Sequence, residues 1–272
     1  MRVFISADME GITGIADAGM TESSHRHYSR ACELMTRDVN AAIEGALAAG
    51  ATDIVVKDAH GDARNILIEK LHPRARLIAG WTPDVCMAEG IGPDFAALVL
   101  VGYHARVGTP GGTISHTMSG SLRGVWYNGV AVGESGISAA HAGAYGVPLV
   151  CVTGDQALAA EVGEVIGPEV AVVVVKEALR RECIRLRTPE ETWPLIRDGV
   201  AGALACAGCI KPFIPAAPIE VRIELRSADQ AASCARVPTA RQVDDVTVAA
   251  PAADGHAAAR LVALFMDLAA RH

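Results

Sequence analysis

Asp8 and Glu10 stand two apart directly after the apolar run Arg2 to Ser6, so in extended chain both carboxylates point to one face. His60 ends Lys57-Asp58-Ala59-His60 after a second apolar run, and His104 ends Gly102-Tyr103-His104 after a later one. Glu134, in Gly133-Glu134-Ser135-Gly136, opens a helix-like stretch and can be the fifth member. Carboxylates and imidazoles at the ends of separate strands form a metal-ligand set of mixed nitrogen and oxygen donors. Borderline-soft zinc accepts such a set, whereas calcium or magnesium rarely takes two imidazoles. Were such a set to hold two divalent ions, their charge of about +4 would be neutralised by three carboxylates and one hydroxide, and the pair would polarise a scissile carbonyl and acidify water. Peptide hydrolysis then needs a proton carrier or a donor to the developing oxyanion. His116, in Ser115-His116-Thr117 after Gly111-Gly112, can serve either role.

Convergence is what favours this chemistry over plainer readings. Taken singly, Asp8 and Glu10 fit a solvated loop, His104 a satisfied structural histidine, and Glu134 a carboxylate favoured at a helix N-terminus. The elements that must bring them together are those of an α/β fold. Short β-type runs at Arg2 to Ser6, Asp53 to Lys57, Arg76 to Gly80, Ala96 to Val101, Val147 to Val152 and Val170 to Val175 alternate with helical stretches. The helical stretches run from about Ser29 to Ala49, Glu134 to Tyr145, Gln156 to Ile166 and Glu190 to Ala207. That order predicts a mostly parallel sheet with flanking helices, whose ligands collect beyond the carboxyl ends of the strands. Asn128-Gly129 predicts a hairpin turn inside 113–132. Beyond the Pro-rich stretch Ile214 to Pro218, the alternating Ile219 to Leu225 and a last helix from about His256 to Arg271 predict a smaller α+β unit. The expected division is a catalytic α/β domain over 1–210 and an appended unit over 211–272.

The composition excludes several classes. The chain has 272 residues, 51% hydrophobic, with 24 Lys plus Arg against 31 Asp plus Glu and 4% aromatic residues. An acidic, aromatic-poor chain lacks the basic stripes and stacking faces that nucleic acid requires. No apolar run approaches the roughly 18 residues of a membrane span. Asp8 interrupts the N-terminus before any apolar leader develops, so a cytoplasmic address is expected. The seven cysteines read as reduced thiols among apolar neighbours, and Cys206-Ala207-Gly208-Cys209 as buried free thiols at a helix end. His25 and His27 read as decoration of a helix start, and Gly108 to Gly112 as a loop lacking a phosphate-cradle ending.

Ser6-Ala7-Asp8-Met9-Glu10-Gly11 resembles the Ser-x-Asp-x-Glu-Gly signature of the D-aminopeptidases of the dipeptide-transport operon type, the zinc peptidase family M55. Asp58-Ala59-His60-Gly61, Gly102-Tyr103-His104-Ala105, Ser115-His116-Thr117 and Asn128-Gly129 through Gly133-Glu134 match in order and approximate spacing over roughly residues 1–160. The resemblance implies a two-zinc site in which Asp8 bridges both ions, Glu10 completes one, and His60, His104 and Glu134 hold the other. It also implies that His116 is the catalytic residue, assigned in the family as a nucleophile. Its remaining implications are substrates that are short peptides with an N-terminal D-residue, and a ring-like homo-oligomer, a decamer. A metal-dependent amidohydrolase acting on another small amide and a non-catalytic metal-binding module are the alternative functions. The free α-amine of a peptide can be met by a zinc or by a carboxylate such as Asp58 or Asp155, and Asp58 can instead orient the His60 ring.

Overall fold

The computed structural model describes residues 1–81, 84 and 86–271. β1 (Arg2–Ala7) is buried on both faces: Val3 and Ile5 pack into one apolar layer and Phe4 into the other. Such double-sided burial suits a central strand of a parallel sheet. α1 (Tyr28–Ala48) lays Met35, Val39, Ala42 and Ala46 on the first layer, at the predicted three- and four-residue spacing. It ends at Gly50, whose φ of 86° only glycine adopts freely. β2 (Asp53–Asp58), β3 (Ala75–Ile78) and β4 (Ala97–Val101) follow, then the hairpin β5 (Leu122–Tyr127) and β6 (Val130–Ala131). Asn128 and Gly129 turn that hairpin with φ of 51° and 83°, the two left-handed residues of a type I′ turn. α2 (Glu134–Gly143), β7 (Leu149–Asp155), α3 (Gln156–Val165), β8 (Ala171–Arg180), β9 (Cys183–Leu186) and α4 (Pro189–Ala205) continue the chain. The last stretch holds β10 (Ile219–Leu225), α5 (Ala228–Cys234), β11 (Arg241–Gln242), β12 (Thr247–Ala252) and α6 (Gly255–Ala269).

The main sheet has seven strands in the order β3-β2-β1-β4-β7-β8-β9. All its pairs are parallel except β8 with β9. The second sheet is antiparallel in the order β11-β12-β10-β5-β6, so the hairpin at 122–131 pairs with strands from beyond residue 210. α2 lies between the two, with Ala139 and Ala142 in the core of the main sheet and Ile137 and Ala140 in that of the second. The architecture is the expected mostly parallel α/β sheet plus a smaller α+β part. No helix among the described residues is long and apolar enough to cross a membrane.

Four local features differ from the sequence expectation. β8 runs five residues past Val175, because its exposed second half pairs with β9, a four-residue, mostly exposed strand set among charged residues. The hairpin occupies only 122–131, since 113–121 is irregular. β12 and α5 were not anticipated: β12 contains three alanines and a proline, a composition poor in strand formers. Cys206 and Cys209 are exposed rather than buried, because α4 ends at Ala205 and the following turn faces outward.

Candidate metal centre

Register decides where the ligands meet. Ala7 at the end of β1 pairs with Asp58 of β2 and with Val101 of β4. The next residues of all three strands therefore leave the sheet at one edge, carrying Asp8 and Glu10, His60, and His104. Backbone bonds tie them together there: Asp8 N–H donates to Val101 O at 2.8 Å, Ala59 N–H to Ala7 O at 2.8 Å, and Gly11 N–H to Gly102 O at 2.7 Å. Two glycines permit the crossing. A Cβ on Gly11 would lie 1.9 Å from Tyr103 O, and one on Gly102, which has φ of 74°, would lie 2.3 Å from Asp8 O.

The segment after Glu10 is braced from beneath. Lys176, fully buried on β8, donates from Nζ to the carbonyls of Glu10 at 2.5 Å and of Ile12 and Ile15 at 2.9 Å each. Asp38 of α1 accepts Thr13 N–H at 2.9 Å and the Trp193 indole N–H at 3.0 Å. These braces were not legible in the sequence. A lysine near a strand end and an aspartate on a helix look like surface residues until the fold buries them.

Each of the three histidines has one ring nitrogen held by a backbone carbonyl, which can only accept, so that nitrogen carries a hydrogen. For His60 it is Nε2, 3.0 Å from Thr21 O. For His104 it is Nδ1, 3.0 Å from Ala105 O, and for His116 Nδ1, 3.0 Å from Ile114 O. The opposite nitrogens face carboxylates. His60 Nδ1 lies 3.1 Å from Asp8 Oδ1 and 3.2 Å from Glu10 Oε2. His104 Nε2 lies 3.4 Å from both Asp8 Oδ2 and Glu134 Oε2. His116 Nε2 lies 3.7 Å from Glu134 Oε1, and its ring stacks on that of His104 with centroids 4.1 Å apart. Glu134 is the first residue of α2 and accepts Met118 N–H at 2.6 Å.

All six predicted site residues thus come together. Asp8, Glu10, His104 and Glu134 are buried, while the His116 side chain is 27% exposed. The ligand atoms of Asp8, Glu10 and His104 fall within 4.8 Å of one another, as do those of His104, His116 and Glu134. Asp8 Oδ2, Glu10 Oε2 and His104 Nε2 are buried with no hydrogen-bond partner among the described residues. A divalent cation satisfies all three, so the residues present fit a metal.

The electrostatics agree. Burial pushes the Asp8 carboxyl up, but the rings of His104 and His60 outweigh it and hold Asp8 well below the usual carboxylate range. Glu10 and Glu134, likewise raised by burial, are also held low, by His60 and His104 respectively. Burial alone would lower His60; Glu10 and Asp8 reverse that and push it up to about 12. His104 is pushed well above its ordinary value by Glu134 and Asp8 against the same burial penalty. Three buried carboxylates therefore demand positive charge, which protons on the imidazoles supply when no metal does.

His116 sits on a different kind of segment. Ile114 and Met118, two residues to either side, have φ of 48° and 62°. A β-branched residue in the left-handed region is a true outlier, and such strain persists only where the surroundings impose it. Here Arg181 imposes it, its carbonyl accepting Ile114 N–H at 3.0 Å and its Nη1 donating to Ser115 O.

Site and loop open on a cavity of about 790 Å³. Trp81, Met87, Met118 and Met266 give it apolar walls, and Glu22, Asp62 and Asp267 line it too. Neither Asp58 nor Asp155 borders it. Asp58 accepts Asn65 and Ile66 N–H at 2.6 and 2.8 Å and so closes the 60–66 loop, leaving Thr21 O to orient the His60 ring. Asp155 caps α3 through Leu158 N–H at 2.9 Å and accepts Thr113 N–H at 2.6 Å. Both carboxylates are consumed by backbone and are not available to an α-amine. His25 and His27 lie in the exposed turn before α1, as expected.

Comparison with known proteins agrees with this geometry. The model of the M55 peptidase family, described as D-aminopeptidase, matches residues 1–264. A D-aminopeptidase of Bacillus subtilis (strain 168) is 36% identical over 231 residues, which cover 85% of this chain and 84% of that one. A solved structure, described as the Zn-dependent D-aminopeptidase DppA from Bacillus subtilis, a self-compartmentalizing protease, superposes with a TM-score of 0.96 at 34% identity. It covers 100% of this chain and 99% of its own. Fold, motifs and relatives converge, and the chain belongs to the M55 family of D-aminopeptidases.

Proposed function

We propose that this chain is a zinc-dependent aminopeptidase that hydrolyses short peptides with an N-terminal D-residue. The observation that carries this reading is the set of buried, unpartnered ligand atoms on Asp8, Glu10 and His104, directly beside a half-open histidine. Two zinc ions per subunit would be held by Asp8, shared because its two oxygens face different histidines, and by Glu10, His60, His104 and Glu134. When bound, zinc supplies Lewis acidity to the scissile carbonyl and to water.

His116 acts from the cavity side. The Ile114 carbonyl holds its Nδ1–H, so the neutral ring presents the Nε2 lone pair, able to take a proton or to attack. Once protonated, the same atom donates a hydrogen bond to a developing oxyanion. The apolar walls of Trp81, Met118 and Met266 limit water around the bond being cleaved. Residues 1–210 carry this chemistry, and 211–272 close one wall through Met266 and Asp267. By analogy with the self-compartmentalizing relative, the chain assembles as a homo-oligomer, for which the family resemblance implies a decamer, and it works in the cytoplasm, where the exposed thiols of Cys183, Cys206 and Cys209 stay reduced.

The test is hydrolysis of matched D- and L-dipeptides and non-peptide amides by zinc-loaded protein, with metal counted by elemental analysis. The expected result is at least tenfold preference for the N-terminal D-residue and two zinc ions per chain. Equal or faster turnover of L-peptides or of another amide would overturn the assignment, and a monomer by light scattering would remove the ring.

A further inference from the structure

The charges lining the cavity are unequal. Six carboxylates face it, those of Asp8, Glu10, Glu22, Asp62, Glu134 and Asp267, whereas among the described lining residues Arg181 is the sole lysine or arginine. A cavity that merely bound metal and an ammonium group would gain nothing from a guanidinium. Arg181 is also placed with unusual care for a residue in a turn between strands. It follows β8, its carbonyl accepts Ile114 N–H at 3.0 Å, and its Nη1 donates to the carbonyl of Ser115, the residue before His116. One N–H is thereby fixed beside the catalytic histidine, and the remaining N–H groups have no partner among the described residues. A guanidinium with one corner pinned on a neutral carbonyl and a free edge is arranged for a planar anion, which it grips through two parallel hydrogen bonds.

We infer that Arg181 receives the free C-terminal carboxylate of the substrate and so makes the enzyme selective for dipeptides. This rests on the aminopeptidase reading above and deepens it. In a dipeptide the carboxylate lies one residue beyond the scissile carbonyl, about 3.3–3.6 Å of extended chain, and each further residue carries it that much farther away. Arg181 bonds the carbonyl of Ser115, the residue before His116, and lines the same cavity, so it suits a carboxylate close to the cleaved bond better than a remote one. The two ends of a zwitterionic dipeptide then meet opposite charges, with the ammonium group toward the carboxylates and the carboxylate toward Arg181. The arginine is a specificity-determining residue and takes no part in bond cleavage.

The experiment compares D-Ala-D-Ala with its C-terminal amide on zinc-loaded wild type, Arg181→Gln and Arg181→Lys. The wild type is expected to favour the free acid by at least tenfold in kcat/KM. Arg181→Gln should collapse that ratio toward one, chiefly through KM of the acid, and Arg181→Lys should restore part of it. Equal losses on acid and amide in Arg181→Gln would mean that the side chain only holds the Ser115 carbonyl, and would overturn the carboxylate role alone. A wild-type ratio near one would overturn it as well. Failure of the wild type to cleave either compound would reject the aminopeptidase reading and the inference with it.

Discussion

The proposed ligand cluster and the loop that carries His116 are adjacent, yet they are built by opposite means. Asp8, Glu10, His60 and His104 leave strands whose register is fixed, on segments clamped by Lys176, Asp38 and two glycines, with their carboxylates buried. The 113–121 segment has no regular structure, holds two left-handed non-glycine residues, and leaves His116 partly open to the cavity. Buried charge tolerates no slack, because each unpaired oxygen in an apolar surround is costly. In the proposed reaction His116 meets substrate and moves a proton, which needs access, and it is placed by local strain and by Arg181.

Mutations at the two places should therefore fail differently. The largest effect belongs to the cluster: His104→Ala should abolish zinc binding and turnover together, read by elemental analysis and by peptide hydrolysis. Full zinc occupancy with normal turnover would remove His104 from the site. His116→Ala should keep its zinc and lose about 10²- to 10⁴-fold in kcat, the usual worth of a positioned proton carrier. Zinc lost from that variant would mean that cluster and loop are a single unit, and the contrast would fail. Gly11→Ala puts a methyl group into the Tyr103 carbonyl and should cost about 2–4 kcal/mol of stability, measured by denaturant titration, with weaker zinc retention. The smallest change is expected at Met118→Gly. Relief of the positive φ offsets the lost apolar contact, so stability should move by less than about 1 kcal/mol. A large loss there would show the loop to be as tightly determined as the cluster.

Legibility followed the same line. The meeting of Asp8, Glu10, His60 and His104 could be read because each sits just past an apolar run, and such runs announce both a buried strand and its end; Glu134, which opens a helix, carries no such mark. The Asn128-Gly129 turn was readable because few sequences tolerate two left-handed residues in succession. What stayed hidden depends on tertiary burial. Lys176 becomes a brace only once Glu10, Ile12 and Ile15 turn their carbonyls toward it. Asp58 stands two residues before His60, as a partner for that ring would, yet backbone N–H groups claim its oxygens. β9 and β12 are hidden because a four-residue strand among charged neighbours and an alanine-rich one lack the sustained hydrophobic alternation that marks a half-buried strand.

The pairing of β5 with β10 bears on how the protein is made. Asn128 of the hairpin bonds to Glu220, a residue 92 positions later, and Glu134 follows the hairpin directly. At ribosomal rates of roughly 5–20 residues per second, about 5–20 s pass between synthesis of the hairpin and arrival of the strand that completes its sheet. During that interval the helix carrying Glu134 lacks the packing that Ile137 and Ala140 make in the second core, whereas the parallel sheet that bears Asp8, Glu10, His60 and His104 needs no residue beyond 186. The packing of α2 is thereby completed only at the end of translation, when α6, which lies against it, has been made.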